Sequence, residues 1–257
     1  MLPMNWHRAL LLFLWITPHV LLVVVAAAVC KRRLYREFPC FFAYVLCRIA
    51  VFILLFTLYT VYGVTGRQYA YAFSATLLLI IALGFGVIDE VSRDLFRKSP
   101  FLKVAAKRLL RCVAGLLLVM GVLLAVHAPG SNSVRWHAGI SVINRGAAMV
   151  QCGLLLALLL LARFLGLTWR RITFGITLGL GTLASVDVAA SALRAEFTSA
   201  AAMELLNLLT TGIYLVCVSI WTGYLFAPEL EPAASPTIGS PDEMETWNTE
   251  LQNLLKH

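Results

Sequence analysis

The sequence predicts an all-α fold: a polytopic membrane protein, built as a seven-transmembrane-helix bundle with its N-terminus outside and its C-terminus cytoplasmic. Three observations lead there. Of the 257 residues, 60% are hydrophobic and only 13% charged, with a mean hydropathy of +0.84. That leaves too little polar surface for a water-soluble domain of this length. The apolar residues also fall into seven long, unbroken runs. A helix needs about 20 such residues to cross the hydrocarbon, whereas a barrel strand would show about 10 alternating ones. Finally, Lys and Arg divide 15 against 4 between the two sets of alternate loops, with Arg48 and Arg145 inside spans. By the positive-inside rule the richly basic side is cytoplasmic.

The seven-helix domain occupies residues 1–227, with spans at 9–30, 40–62, 69–91, 109–128, 139–164, 172–194 and 202–227. The first span ends in Ala26-Ala27-Ala28-Val29-Cys30, which hints at a signal-peptide cleavage site. Lys31-Arg32-Arg33 follows at once and disfavours cleavage, so this run is expected to remain as a helix. Pro18 is expected to kink it, with the freed carbonyl satisfied locally. The second span carries Arg48, and the third ends in Asp89-Glu90. The connection Ser92–Arg111 holds seven basic residues and one acid, Asp94, with a turn expected at Ser99-Pro100. Such a segment suits topology and contact with anionic lipids.

Polar residues mark the last three spans. In the fifth, Asn144 and Gln151 share a face, with Ser141 and Arg145 beside it. In the sixth, Thr173, Thr177, Gly181, Ser185 and Ala189 form a small-residue ridge, with Gly175 and Gly179 beside it. Small residues let helices approach closely in lipid, so this helix is expected to be central. In the seventh, Glu204, Asn207, Thr211 and Tyr214 make one stripe. Trp6 and Trp136 fall at the outer interface and Trp169 at the inner one.

Residues 228–241, with prolines at 228, 232, 236 and 241, form a linker. Ser240-Pro241-Asp242-Glu243 then reads as a capped helix start, and Met244, Trp247, Leu251, Leu254 and Leu255 recur at helical spacing. Residues 242–257 are therefore expected to form an acidic amphipathic helix, docked on the protein's own basic loops or recruiting a cytoplasmic partner.

Ionisable groups inside a span are costly and mark candidate function. Arg145, Asp187 and Asn207 each lie on the order of 10 Å from the outer end of their span. Asn144, Arg145, Gln151, Asp187, Glu204 and Asn207 are thus candidate lining residues of an outward-facing ligand pocket. An internal bridge from Asp187 to Arg145 or to Arg194 would place the same residues without any ligand. Near the cytoplasmic side, Arg48 is expected either to pair with Asp89 or Glu90 or to snorkel to the interface.

Several classes are excluded or disfavoured. The net charge of +8 sits on residues that flank spans, which points to lipid and not to nucleic acid. The six cysteines form no CxxC and no Cys/His cluster, so neither a disulfide framework nor a metal site is expected. His19 has no histidine at equal depth to complete a haem site. The seventh span contains no lysine for retinal and no proline of the kind G-protein-coupled receptors carry there. No cofactor, catalytic residue or enzymatic activity is expected.

Leu34-Tyr35-Arg36-Glu37-Phe38-Pro39, Phe174-Gly175-Ile176-Thr177-Leu178-Gly179 and Trp221-Thr222-Gly223-Tyr224-Leu225, with Trp247-Asn248 near the end, resemble a group of short bacterial seven-helix membrane proteins with no assigned activity. The resemblance implies a multi-pass protein of a bacterial cytoplasmic membrane. The expected role is a receptor-like or signal-coupling module, with a transporter or an accessory subunit of a larger membrane complex as the alternative.

Overall fold

The computed structural model describes residues 4–63, 67–97, 132–167, 169–196 and 199–227, with single helical positions at 104, 108, 112, 115, 116 and 119. Six long helices account for nearly all of it: α1 Met4–Lys31, α2 Pro39–Tyr62, α3 Arg67–Leu95, α4 Asn132–Phe164, α5 Arg171–Glu196 and α6 Ala200–Phe226. Among the described residues there is no strand, and these six helices are each long and apolar enough to cross a membrane. This is the pattern of a multi-pass membrane protein, because a helix satisfies its own backbone where no water can. Apart from those single positions, the expected fourth span (109–128), the linker (228–241) and the tail helix (242–257) lie outside the described residues. The chain separates into two compact units, Met1–Phe226 and Ala227–His257, and all six helices belong to the first.

Local chemistry sets the helix boundaries. Pro39 takes the first position of α2, where its missing N–H costs nothing. Arg33, in the left-handed conformation at φ 56°, turns the chain out of α1 into a single 3₁₀ turn, Leu34–Arg36. Gly166, with φ 61°, closes α4: its amide donates to the Arg163 carbonyl at 3.4 Å, and that of Leu167 to the Ala162 carbonyl at 2.9 Å. This is a Schellman motif, which needs a residue tolerant of positive φ.

Neighbour contacts among the described helices close a ring, α1–α2–α3–α4–α5–α6 and back to α1, with α3 also touching α5 across it. The expected central position of the sixth span, now α5, agrees with this: Thr173 and Thr177 on it are fully buried. The main cluster of buried apolar side chains lies toward one end of the ring, where α1 passes to α2 and α4 to α5. Leu22, Val25 and Val29 meet Phe41, Val45, Val91, Phe96 and Trp221 there. We refer to this as the closed end. Large apolar side chains on the outer faces, such as Phe13, Ile53, Leu160 and Leu209, are exposed, as lipid-facing positions should be.

The segments Phe174–Gly179 and Trp221–Leu225 pack on one another at the closed end. The Trp221 indole N–H donates to the Ile176 carbonyl at 3.4 Å, and the Phe174 and Tyr224 rings lie 5.9 Å apart. A methyl at Gly179 would come within 2.3 Å of Trp221 Nε1, and one at Gly175 within 2.5 Å of Tyr224 Cβ. These glycines therefore serve close approach between α5 and α6. Nearby, Arg170 bonds Glu37 at 2.8 Å and reaches Asp94 at 3.6 Å, while the Thr173 hydroxyl donates to Asp94. The Glu37 bond raises the Arg170 pKa above its ordinary value, with partial burial opposing it.

Candidate functional site

Toward the other end of the ring, where α2 passes to α3 and α5 to α6, the interior is hollow. A cavity of about 760 Å³ is lined by α1, α2, α3, α5 and α6. We refer to this as the open end. The cavity's walls are largely aromatic, from Trp15, Phe52, Phe56, Tyr59 and Tyr69, and its polar groups are His19, Arg48, Asp187, Thr210, Thr211 and Tyr214. Its size falls within the roughly 300–1,000 Å³ usual for small-molecule sites.

Arg48 is held from its own helix. Tyr44, one turn earlier, accepts from Arg48 Nη2 at 2.7 Å and from Nε at 3.1 Å. The guanidinium also lies over the Tyr44 and Tyr214 rings, 5.2 and 5.4 Å from their centroids, a placement in which the ring faces attract the cation. A guanidinium has five N–H donors, so most of its capacity remains for another partner. Asp187 on α5 is exposed to the same cavity as Arg48. Among the described residues its carboxylate makes no hydrogen bond or ion-pair contact. The Tyr214 hydroxyl is buried and has no hydrogen-bond partner among the described residues.

His19 follows Pro18, whose ring removes the amide donor to the Leu14 carbonyl. In this loosened turn the His19 ring donates from Nδ1 to the Trp15 carbonyl at 2.9 Å and stacks on Phe52 at 3.7 Å. A carbonyl only accepts, so Nδ1 holds the proton and Nε2 of the neutral ring is left as an acceptor.

A smaller cavity of about 190 Å³ lies alongside, lined by α2, α3, α4 and α5 and including Tyr44, Asn144 and Gln151. The two cavities share Arg48, Ile80, Leu183 and Asp187. Gln151 donates to the Ile81 carbonyl at 3.3 Å, and a methyl on Gly84 would stand 2.7 Å from Gln151 Nε2. Gly84 thus makes room for that amide.

No family model, curated protein or solved structure matches the chain. The chemistry of the cavities therefore carries the functional reading.

Of the residues expected to line a pocket, the structure brings Asn144, Gln151 and Asp187 together, and adds Thr211 and Tyr214 of the α6 stripe to the larger cavity. It does not place Arg145, Glu204 or Asn207 in either lining. Arg145 does not pair with Asp187: its guanidinium reaches the Ser191 carbonyl at 3.3 Å, one turn nearer the open end. Asn207 accepts from Arg194 at 3.4 Å. The expected pairing of Arg48 with Asp89 or Glu90 is also corrected. Glu90 accepts from the amides of Cys40 and of Phe41, the latter at 3.0 Å, and so caps the first turn of α2. Asp89 pairs with Arg93 on its own helix. Arg48 stands eight residues beyond Cys40, about 12 Å further along the axis, and is out of reach of both acids.

Sequence reasoning missed His19, Arg48 and Trp15 as parts of the site. Depth was the available signal for Arg48. It lies nine residues into α2, about 14 Å from the helix start and deeper than interfacial snorkelling explains. Among the described residues no group of three His, Cys, Asp or Glu side chains is placed to hold a metal ion.

Proposed function

We propose that the protein is a receptor-like or signal-coupling module of a bacterial cytoplasmic membrane, which binds a small molecule in the open-end cavity. The carrying observation is that Arg48 and Asp187 face one cavity of about 760 Å³ without an ion-pair contact between them. Opposite charges kept only for folding would be expected to bond, because each unpaired charge inside a bundle is expensive. The open end is the outer side in this reading, since Lys31, Arg32, Arg33, Arg36, Arg93, Arg97, Arg163, Arg170 and Arg171 belong to the closed end. Those basic segments meet anionic lipids, and the acidic tail 242–257 passes the signal to a cytoplasmic partner or to the protein's own loops.

The full count in this proposal is seven helices. Gln151 on α4 meets Ile81 on α3, and both helices run from there to the closed end, so they are parallel. The chain leaves α3 at the closed end and enters α4 at the open end. In this proposal the span expected at 109–128 makes that connection.

A transporter is the second reading, favoured by the two cavities that share Arg48 and Asp187. One comparison separates the two roles. Protein lacking residues 228–257 is reconstituted in liposomes, and ligand binding and flux are measured beside the full chain. A receptor keeps binding, shows no flux in either form and loses its output with the tail. Flux that survives the deletion and stops with Arg48→Gln would replace the receptor reading with the transporter one.

A further inference from the structure

We infer that the open-end cavity takes a zwitterion with an apolar body: a small molecule of the amino-acid type, its carboxylate on Arg48 and its ammonium toward Asp187. The inference deepens the reading of this cavity as a small-molecule site and rests on it. Charge balance is the first argument. Arg48 and Asp187 bring one charge of each sign to the same cavity, and the neutral form of His19, with Nδ1 donating to Trp15, adds an acceptor at Nε2 and no charge. A ligand with only an acid would answer Arg48 and be repelled by Asp187, and one with only an amine would meet the reverse. In a water-poor bundle either mismatch is costly, whereas a dipolar ligand answers both charges.

Unspent hydrogen-bonding capacity is the second argument. The Arg48 guanidinium gives two bonds to Tyr44 and keeps its remaining donors. The Tyr44 bonds fix the guanidinium in place, which lowers the cost of binding a planar carboxylate by its two-toothed edge. The Tyr214 hydroxyl, buried beside that guanidinium, has no partner among the described residues and supplies one further donor. A buried polar atom left unbonded calls for an explanation, and a ligand oxygen provides one.

Shape is the third argument. Above the charged floor, Trp15 and Phe52 meet edge to face at 5.0 Å. They form an apolar wall that suits a side chain and offers little to a second polar head.

The test uses the full chain in lipid nanodiscs, with leucine, phenylalanine and tryptophan as probes. Each is paired with the amine that lacks its carboxylate and the acid that lacks its ammonium, and affinities are measured by calorimetry. At least one zwitterion should bind on the order of 100-fold more tightly than both of its counterparts, the usual scale for an unpaired buried charge. Arg48→Gln should erase the advantage over the amine, and Asp187→Asn the advantage over the acid. Tyr214→Phe is the safeguard against misfolding of either charge variant: it keeps both charges and should weaken the zwitterion about tenfold. An amine or acid that binds as well as its zwitterion overturns the inference, as does silence from every probe or an unchanged affinity in Tyr214→Phe. Native mass spectrometry of the purified protein separates the two levels. A bound small molecule that is not a zwitterion, and that is lost in Arg48→Gln, sinks the ligand class and leaves the cavity reading standing. No bound small molecule together with silent probes sinks both.

Discussion

Tyr44 holds Arg48: the phenol accepts two hydrogen bonds from the guanidinium one helical turn away, at 2.7 and 3.1 Å. A charge that would otherwise sample many rotamers is thereby set at the boundary of two cavities. Tyr44→Phe removes both bonds and leaves the ring under the cation. Hydrogen bonds to charged groups contribute about 1.5–3 kcal/mol. The variant is expected to fold, to lose stability on that scale in detergent titration, and to bind its ligand more weakly. Wild-type stability would show that the phenol does not hold Arg48.

Glu90 on α3 stands in for a local cap of α2, whose own N-cap residue, Phe38, offers no side-chain acceptor. Losing a helix cap costs about 1 kcal/mol. Glu90→Ala is expected to lower stability by at least that amount and to speed hydrogen exchange at the Cys40 and Phe41 amides. Glu90→Gln, which keeps one acceptor, should fall between the two. Exchange rates that do not change at those amides would rule out the cap.

Gly179 and Gly181 are neighbours on α5 with opposite expectations. A methyl at Gly179 collides with Trp221, whereas one at Gly181 meets only Leu155 Cδ1 at an ordinary 3.9 Å. Overpacking on this scale costs about 1–3 kcal/mol or more. Gly179→Ala should therefore unfold well below the wild-type temperature. Gly181→Ala should be neutral or slightly stabilising, since Ala is the better helix former. A thermal scan of the two variants side by side decides it.

Glu37 and Arg170 join the segment before α2 to the start of α5, yet their side chains are 51% and 42% exposed. Half-exposed ion pairs contribute about 0–1 kcal/mol. Glu37→Gln is expected to cost less than about 1 kcal/mol, an effect that vanishes in high salt. Asp94→Asn should cost more, because Asp94 also accepts from the Thr173 hydroxyl. Equal effects in the two variants would contradict this ordering.

The spans were legible because the bilayer imposes them: five of the described helices begin and end within about five residues of the apolar runs. α4 begins at Asn132, seven residues before the expected 139, because Asn132–Ala138 continues the helix with polar residues that no apolar window detects. Partners were less legible. Depth placed Arg145 and Asp187 in one layer, but the face each residue takes on its helix decides which side chains meet: Asp187 lines both cavities with Arg48, and Arg145 lines neither. Asp89 and Glu90 show the same limit at short range. Adjacent on α3, they point about 100° apart, so one finds Arg93 on its own helix and the other finds the amides of α2.

The interlock of Gly175 and Gly179 with Tyr224 and Trp221 leaves no slack between α5 and α6. Close packing of this kind favours movement of the two helices as one unit. Tyr214 lies seven residues before Trp221, on the same face of α6. The Tyr214 ring that borders the cavity and the Trp221 clamp thus stand two turns apart on one helix face. Between this couple and α2 three ring contacts stand in line: Phe41 and Tyr44 meet Trp221 edge to face at 5.5 and 6.1 Å, and the Arg48 cation lies over the Tyr214 ring. Of the three, only the Arg48–Tyr214 contact borders the larger cavity, so an occupant of that cavity meets it before the other two.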